Sequence, residues 1–461
     1  MDAELRAASM GGITVQRVVE RYPLEPGVWL TLTPDADTWR VAIEIDQPSG
    51  GQAAEVGSDT TLGSTVSGHA QKVGGTEPVH GADALAHLLR FARVPAVERF
   101  NLVRHAPTPE ASGERPVDDD GQVVVVGERV VVSWARSVRD LPYTAPVNLA
   151  QLAAVDFLGV PVTYGLLIWT TPNGHEAPVA LVTKYLPRAM DGRQSLITML
   201  ERGPDVEAGE MPPLSTRMGR IAAALHVALA TRSSVLAEPV RPATSGELTD
   251  WHERIRGSID RAALIAAEGT VPDLGRSFLA RLSRLEADAD ALLEVADGET
   301  TTLVQRVHGD LHVGRILRWA GGLMITGFGD EPERDAVGLG PQPPARDLAR
   351  LMHSLDSVAR QIDRQTAGQP GGQPGGQPCT ENWLPGARQR LITAYRTELG
   401  VARRPELLDE RLLASFEAEH AAREVIEAAR RQAAAESAAA EAVRVLEAGA
   451  TVWEQSPDRP W

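Results

Sequence analysis

Val307-His308-Gly309-Asp310-Leu311-His312-Val313-Gly314-Arg315-Ile316-Leu317 is followed a few residues later by Gly322-Leu323-Met324-Ile325-Thr326-Gly327-Phe328-Gly329-Asp330-Glu331-Pro332. Short apolar runs flank a polar turn, which reads as strand, loop, strand and acidic loop. His308, Asp310 and His312 alternate through the turn and are poor core material. Gly309 lets the backbone turn there. The stretch therefore reads as a site loop carried on two strands.

Composition bounds what such a loop can serve. The chain has 461 residues, enough for two or three domains or for one bilobal unit with an appendage. Its formal net charge of −16 argues against a nucleic-acid or anionic-membrane partner. Cys379 is the single cysteine, which excludes an internal disulfide and a cysteine-cluster metal site and suits a reducing compartment. No run reaches the length of a membrane helix, so the expectation is a soluble, cytoplasmic protein.

Upstream, Ile13–Val19, Val28–Thr33 and Trp39–Ile45 alternate as half-buried strands do, and Ala82–Phe91 reads as a short helix. The polar stretch 47–75 reads as a loop, and His69 and His80 as isolated solvated histidines. Gly121–Trp134 holds two β-branched runs separated by Gly127-Glu128-Arg129, a hairpin signature. A helix over Pro146–Asp156 and paired strands over Thr163–Trp169 and Val179–Leu186 follow. Helices are then predicted over Ser215–Thr231, with His226 as a packed structural residue, and over Thr249–Ala267 and Arg276–Val295. Beyond the site loop, Arg346–Asp356 opens a helix with an acidic first turn. The Gln-Pro-Gly-Gly repeats within 367–379 read as a flexible linker. The Ala- and Glu-rich Leu412–Leu446 reads as a long helix.

The loop resembles the catalytic loop of the aminoglycoside-phosphotransferase-like kinases, whose pattern is HGDLHxGN or HGDLHxGQ, then a strand, then Asp-Phe-acid. The loop also resembles that of the actinobacterial maltokinases and glucosamine kinases, with DFEGEP or DFDGNP after the strand. Ordered matches run over about residues 120 to 430. The hairpin is similar to SVVVGDRAVVKW, the helix after the loop to RDVAGMLRSFDY, and the start of the long helix to FEAEKALYEVVYEAR. The resemblance implies an α+β, bilobal, protein-kinase-like fold. Its parts would be an N-terminal α+β cap as a separate module over 1–105, a β-rich lobe over 106–190, and a mainly helical lobe over 191–461.

The resemblance also implies roles. Asp310 would orient and deprotonate a sugar hydroxyl, with His308 and His312 beside it. Backbone groups around Val182, Lys184 and Tyr185 would meet adenine, and Asp347 would order the loop by hydrogen bonds. Asp310, Glu417, Glu424 and Arg430 would face an amino sugar or disaccharide, although each glutamate also reads as part of a solvated helix face. ATP and magnesium would be the cofactors.

The sequence departs from the pattern at three places that touch the same phosphates and metal. Ser133 stands at the lysine of the hairpin, Arg315 at the Asn or Gln, and Gly327 at the first Asp. Magnesium takes hard oxygen ligands, and neither a guanidinium nor a glycine side chain supplies one. The losses predict a catalytically impaired sugar-kinase relative, a pseudokinase that binds a metabolite or a protein partner and uses neither ATP nor magnesium for transfer. Arg315 would then place its guanidinium where the metal would sit and allow metal-free binding of an anion. The alternative is an active ATP-dependent sugar kinase with Asp330 or Glu331 as relocated metal ligands. A structural subunit pairing through the long helix is a third reading.

Overall fold

The computed structural model describes residues 6–10, 13–17, 20–26, 28–35, 38–45, 81–90, 99–117, 122–203, 212–296, 301–328, 340–367 and 378–454. The 47–75 stretch, His69, His80, Asp330, Glu331 and residues 368–377 of the expected linker lie outside them.

The hairpin forms as its sequence asks. Strands Val123–Val126 and Val130–Trp134 pair antiparallel, with Val126 opposite Val130. Val124, Val126, Val130 and Val132 are buried, so the two-residue period of β structure turns one face of the hairpin inward. The hairpin sits in a six-stranded sheet ordered Phe100–Arg104, Thr163–Thr170, Glu176–Lys184, Val130–Trp134, Val123–Val126, Glu114–Pro116. A four-stranded sheet ordered Ser137–Arg139, Thr38–Ile45, Val28–Asp35, Glu20–Glu25 lies beside it.

These two sheets share one core, which corrects the expectation of a separate module ending at residue 105. Tyr22, Leu30, Leu32, Leu85 and Leu89 pack in the same buried cluster as Val124, Val132, Leu167 and Val182. Strand Phe100–Arg104 pairs with Thr163–Thr170 across the proposed boundary, and Ser137–Arg139 pairs back to Thr38–Ile45. Cutting there would open two ladders and divide a hydrophobic core.

The C-terminal part is helical around a second core. The Leu214–Leu229 and Leu384–Val401 helices pack closely, and the Ser245–Glu268 helix opens with a capping box: Thr244 Oγ1 accepts from Glu247 N at 3.2 Å while Glu247 Oε2 accepts from Thr244 N at 2.9 Å. The single helix expected over 276–295 is two, Pro272–Leu279 and Leu282–Ala296, and the break lets both Phe278 and Leu285 reach the core. Against this core lie a small sheet, Met190–Asp191, Ile316–Trp319 and Gly322–Ile325, an anchoring helix, Ala345–Ala367, and a terminal helix, Leu413–Glu454. No described helix is long and apolar enough to cross a membrane.

Candidate active site

The site loop is held from behind by the anchoring helix. Asp347 is 1 % exposed. It accepts from His308 N at 2.8 Å through Oδ2 and from Gly309 N at 2.9 Å through Oδ1. Oδ2 also meets His226 Nε2 at 3.1 Å, and His226 Nδ1 meets the Tyr395 hydroxyl at 2.6 Å. Burial works to raise the Asp347 pKa, but the His226 hydrogen bond, the two histidines' charges and the loop amide outweigh it and hold it below the ordinary value. Asn148 donates to Val307 O at 2.9 Å, and Ser354 Oγ accepts from Val313 N at 3.0 Å. Gly309 takes φ +90°, a conformation that glycine adopts without strain.

Within the loop, His308 is engaged at both ring nitrogens. Nε2 lies 2.9 Å from Thr326 O and Nδ1 accepts from Asp310 N at 3.3 Å. These partners assign the neutral tautomer with the proton on Nε2. Burial lowers its pKa and favours the same state. The ring packs on Phe328 with centroids 4.5 Å apart. His312 Nδ1 accepts from Gly314 N at 3.1 Å, and its Nε2 lies 3.6 Å from Asp310 Oδ2.

Asp310 is gripped by two arginines. Arg315 Nη2 donates to Oδ2 at 3.1 Å and Arg350 Nε donates to Oδ1 at 3.2 Å. Burial works to raise its pKa, but the neighbouring His312 imidazole and the Arg350 and Arg315 charges leave it well below the carboxylate range. The side chain keeps 28 % exposure, so a ligand can still approach it.

Gly327 stands where the resemblance places a carboxylate ligand for magnesium. Its φ is +91°, and a Cβ added there would meet Arg315 Cδ at 2.7 Å, Nε at 2.9 Å and Nη1 at 3.0 Å. The arginine fills the space that a side chain at 327 would need. Among the described residues, no group of three His, Cys, Asp or Glu side chains could hold a metal ion. These residues do not fit magnesium.

On the sheet side, Ser133 is half-buried opposite Leu181 and Val123. Val182 is buried in the N-terminal core. Lys184 N donates to Val162 O and Tyr185 N to Arg129 O, each at 2.9 Å. Those two amides are therefore spent within the protein.

The terminal helix brings Glu417 and Glu424 to one side, seven residues apart. Glu417 takes Arg388 Nη2 on both oxygens at 2.7 and 2.6 Å, and Arg388 Nη1 reaches Asp356 at 2.9 Å. Burial raises the Glu417 pKa against the opposing pull of Arg388. Glu424 Oε2 meets His353 Nε2 at 3.0 Å and Arg360 Nη2 at 2.6 Å. Burial opposes these partners, yet its pKa is lowered to about 2. Arg430 is exposed and lies six residues beyond Glu424, off the face that carries the two glutamates.

Comparison with known proteins fits this architecture. No family model matches the chain. A glucosamine kinase of Streptacidiphilus jiangxiensis is 32% identical over 356 residues, covering 71% of this chain and 75% of that protein. The chain belongs to the glucosamine kinase family. A glucosamine kinase of Mycolicibacterium smegmatis is 32% identical over 266 residues, a match of 56% of this chain that spans 62% of that protein's length. A solved glucosamine kinase structure, crystal form A, superposes with a TM-score of 0.66 at 25% identity over 91% of this chain and 89% of that one. Another, in complex with glucosamine, ADP and inorganic phosphate, has a TM-score of 0.65 at 24% identity, covering 91% of this chain and 90% of that chain.

Two features of this glucosamine kinase relative escape sequence reasoning. Arg350, the second arginine on Asp310, stands at the glycine of the RDVAGMLRSFDY pattern, and that mismatch was the available signal. Glu419 is fully buried and meets Arg254 Nε at 3.1 Å, Arg346 Nη2 at 3.2 Å and Arg423 Nε at 3.9 Å. Burial opposes these charges, which nonetheless hold its carboxyl well below the usual range. That network ties the anchoring helix to the terminal helix, and its signal in the sequence is no stronger than a Glu on a charged helix.

Proposed function

We propose that this member of the glucosamine kinase family binds a sugar, an amino sugar foremost, and is impaired in phosphoryl transfer from ATP. The observation that carries the reading is the double grip on Asp310. A base that takes a proton from a sugar hydroxyl needs an accessible lone pair and a pKa near its working pH. Asp310 stays partly exposed, but each oxygen carries a guanidinium and its carboxyl is held well below the carboxylate range, which weakens it as a base. Phosphoryl transfer depends on neutralising and positioning phosphate charge. Ser133 is too short to do so from the hairpin, and the 315/327 pair offers no metal ligand. His308, neutral and bonded on both sides, acts as a strut of the loop in this reading, while His312 stays near Asp310 as a second contact. Glu417 and Glu424, already paired with Arg388 and Arg360, shape the sugar side. Asp330 and Glu331 are the metal ligands of the opposing, active reading.

The test is a thermal titration of the full chain with glucosamine, maltose and glucose, run beside a steady-state ADP-release assay with magnesium and ATP. Stabilisation by a sugar with no sugar-dependent ADP release supports the proposal. Sugar-dependent release at a rate of about 1 per second or faster, as in working kinases, refutes it.

A further inference from the structure

We propose that the Arg315 guanidinium is a resident cation in the place of the divalent ion, and that Arg315 and Gly327 form one coupled pair that excludes such an ion from the loop. This rests on the reading of impaired transfer and names its cause.

Three observations converge on the pair. The first is steric: the position of a Cβ at 327 lies within 3.0 Å of Arg315 Cδ, Nε and Nη1. Real Cβ contacts do not come that close, so a ligand side chain at 327 would require the outer part of Arg315 to leave its place beside Asp310. The second is electrostatic. A guanidinium is permanently charged and cannot ligate a metal, and a divalent ion bonded to Asp310 would stand against it. Third, the carboxylate is already taken, with Oδ2 on Arg315 and Oδ1 on Arg350. A metal on either oxygen would share it with a guanidinium, positive charge beside positive charge. The two positions are therefore coupled. Asp at 327 alone meets the arginine. Asn at 315 alone leaves Asp310 without a second carboxylate ligand among the described residues.

Manganese serves as the probe, since it accepts the same oxygen ligands as magnesium and its binding is read directly by electron paramagnetic resonance. The full chain is compared with Arg315→Asn, Gly327→Asp and the double variant. The expected result is background manganese binding for the parent and both single variants, and binding tighter by about 10–100-fold in the double variant. Gly327→Asp should also unfold at lower temperature than the parent, with part of that loss recovered when Arg315→Asn is added. A specific manganese site in the parent overturns the proposal. So does a double variant that folds and binds no better than the singles. If the double variant does not fold, Gly327→Ala is measured in the parent and in Arg315→Ala. A smaller Tm loss in Arg315→Ala supports the coupling, and equal losses overturn it. Manganese bound by the parent without sugar phosphorylation would defeat this inference and leave the impaired-transfer reading standing. Manganese bound with turnover would defeat both.

Discussion

Asp310→Asn should destabilise this protein, and that outcome separates a carboxylate bound into the structure from one held ready for chemistry. Asp310 accepts from Arg315 at 3.1 Å and from Arg350 at 3.2 Å, and these side chains are 28, 26 and 16 % exposed. A hydrogen bond to a charged group contributes about 1.5–3 kcal/mol, and partial exposure places these two at the low end. Asparagine keeps one acceptor but turns an amide donor toward the other guanidinium. The net cost at neutral pH is then about 2 kcal/mol, or a Tm fall of about 2–4 °C for a chain of this size. The sign with pH follows from the depressed carboxyl. Its stabilisation is complete above the unfolded value of about 3.9 and is lost as pH falls through the folded value. The parent-minus-variant difference should therefore stay flat from about pH 5 to 8 and shrink below about pH 4. Scanning calorimetry at pH 7 with urea unfolding along a pH series measures both. An unchanged or raised Tm in Asp310→Asn would refute the reasoning, because removing an unpaired, catalytically poised carboxylate relieves rather than costs stability.

Other outcomes follow from the same geometry. Asp347→Ala removes the acceptor for two loop amides and leaves His226 Nε2 without its partner in the core, so it should cost about 3–5 kcal/mol and speed hydrogen exchange at His308 and Gly309. Glu419→Gln should cost a similar ~3–5 kcal/mol in urea unfolding, because it leaves Arg254, Arg346 and Arg423 around a neutral group in the core. Glu424, with its pKa lowered to about 2, gives stability that is present above its unfolded value and lost as pH falls toward 2. Glu424→Gln should cost about 1–2 kcal/mol at pH 7 and progressively less in acid. Ser133→Lys alone should restore no ADP release, since the pair at 315 and 327 and the grip on Asp310 remain.

What was legible in the sequence was local. The two β-branched runs of the hairpin, the turn at Gly309 and the 3.6-residue spacing of the Leu214–Leu229 helix each depend on near neighbours, and each appears where the pattern places it. The resemblance supplied the lobes and the loop. What stayed hidden depends on contacts distant in sequence. Strand Ser137–Arg139 returns to pair with Thr38–Ile45, and this joins the N-terminal strands to the sheet they were expected to stand apart from. Arg350 reads as one more charge on an amphipathic helix until the anchoring helix carries it to Asp310, forty residues away along the chain. The absent side chain at 327 reads as a loss in the sequence, whereas in the fold the space is filled by Arg315. The glutamates of the terminal helix were read as open to a sugar or to solvent; both are held by arginines.

We propose that Asp310, held by Arg315 and Arg350, does not serve transfer. The most direct measurement is a single-turnover experiment with the parent chain in excess over γ-labelled ATP, with glucosamine and magnesium present and the label on the sugar as the readout. The account predicts no labelled sugar above that formed by Asp310→Asn. Label transferred to glucosamine by the parent and abolished in Asp310→Asn would contradict it.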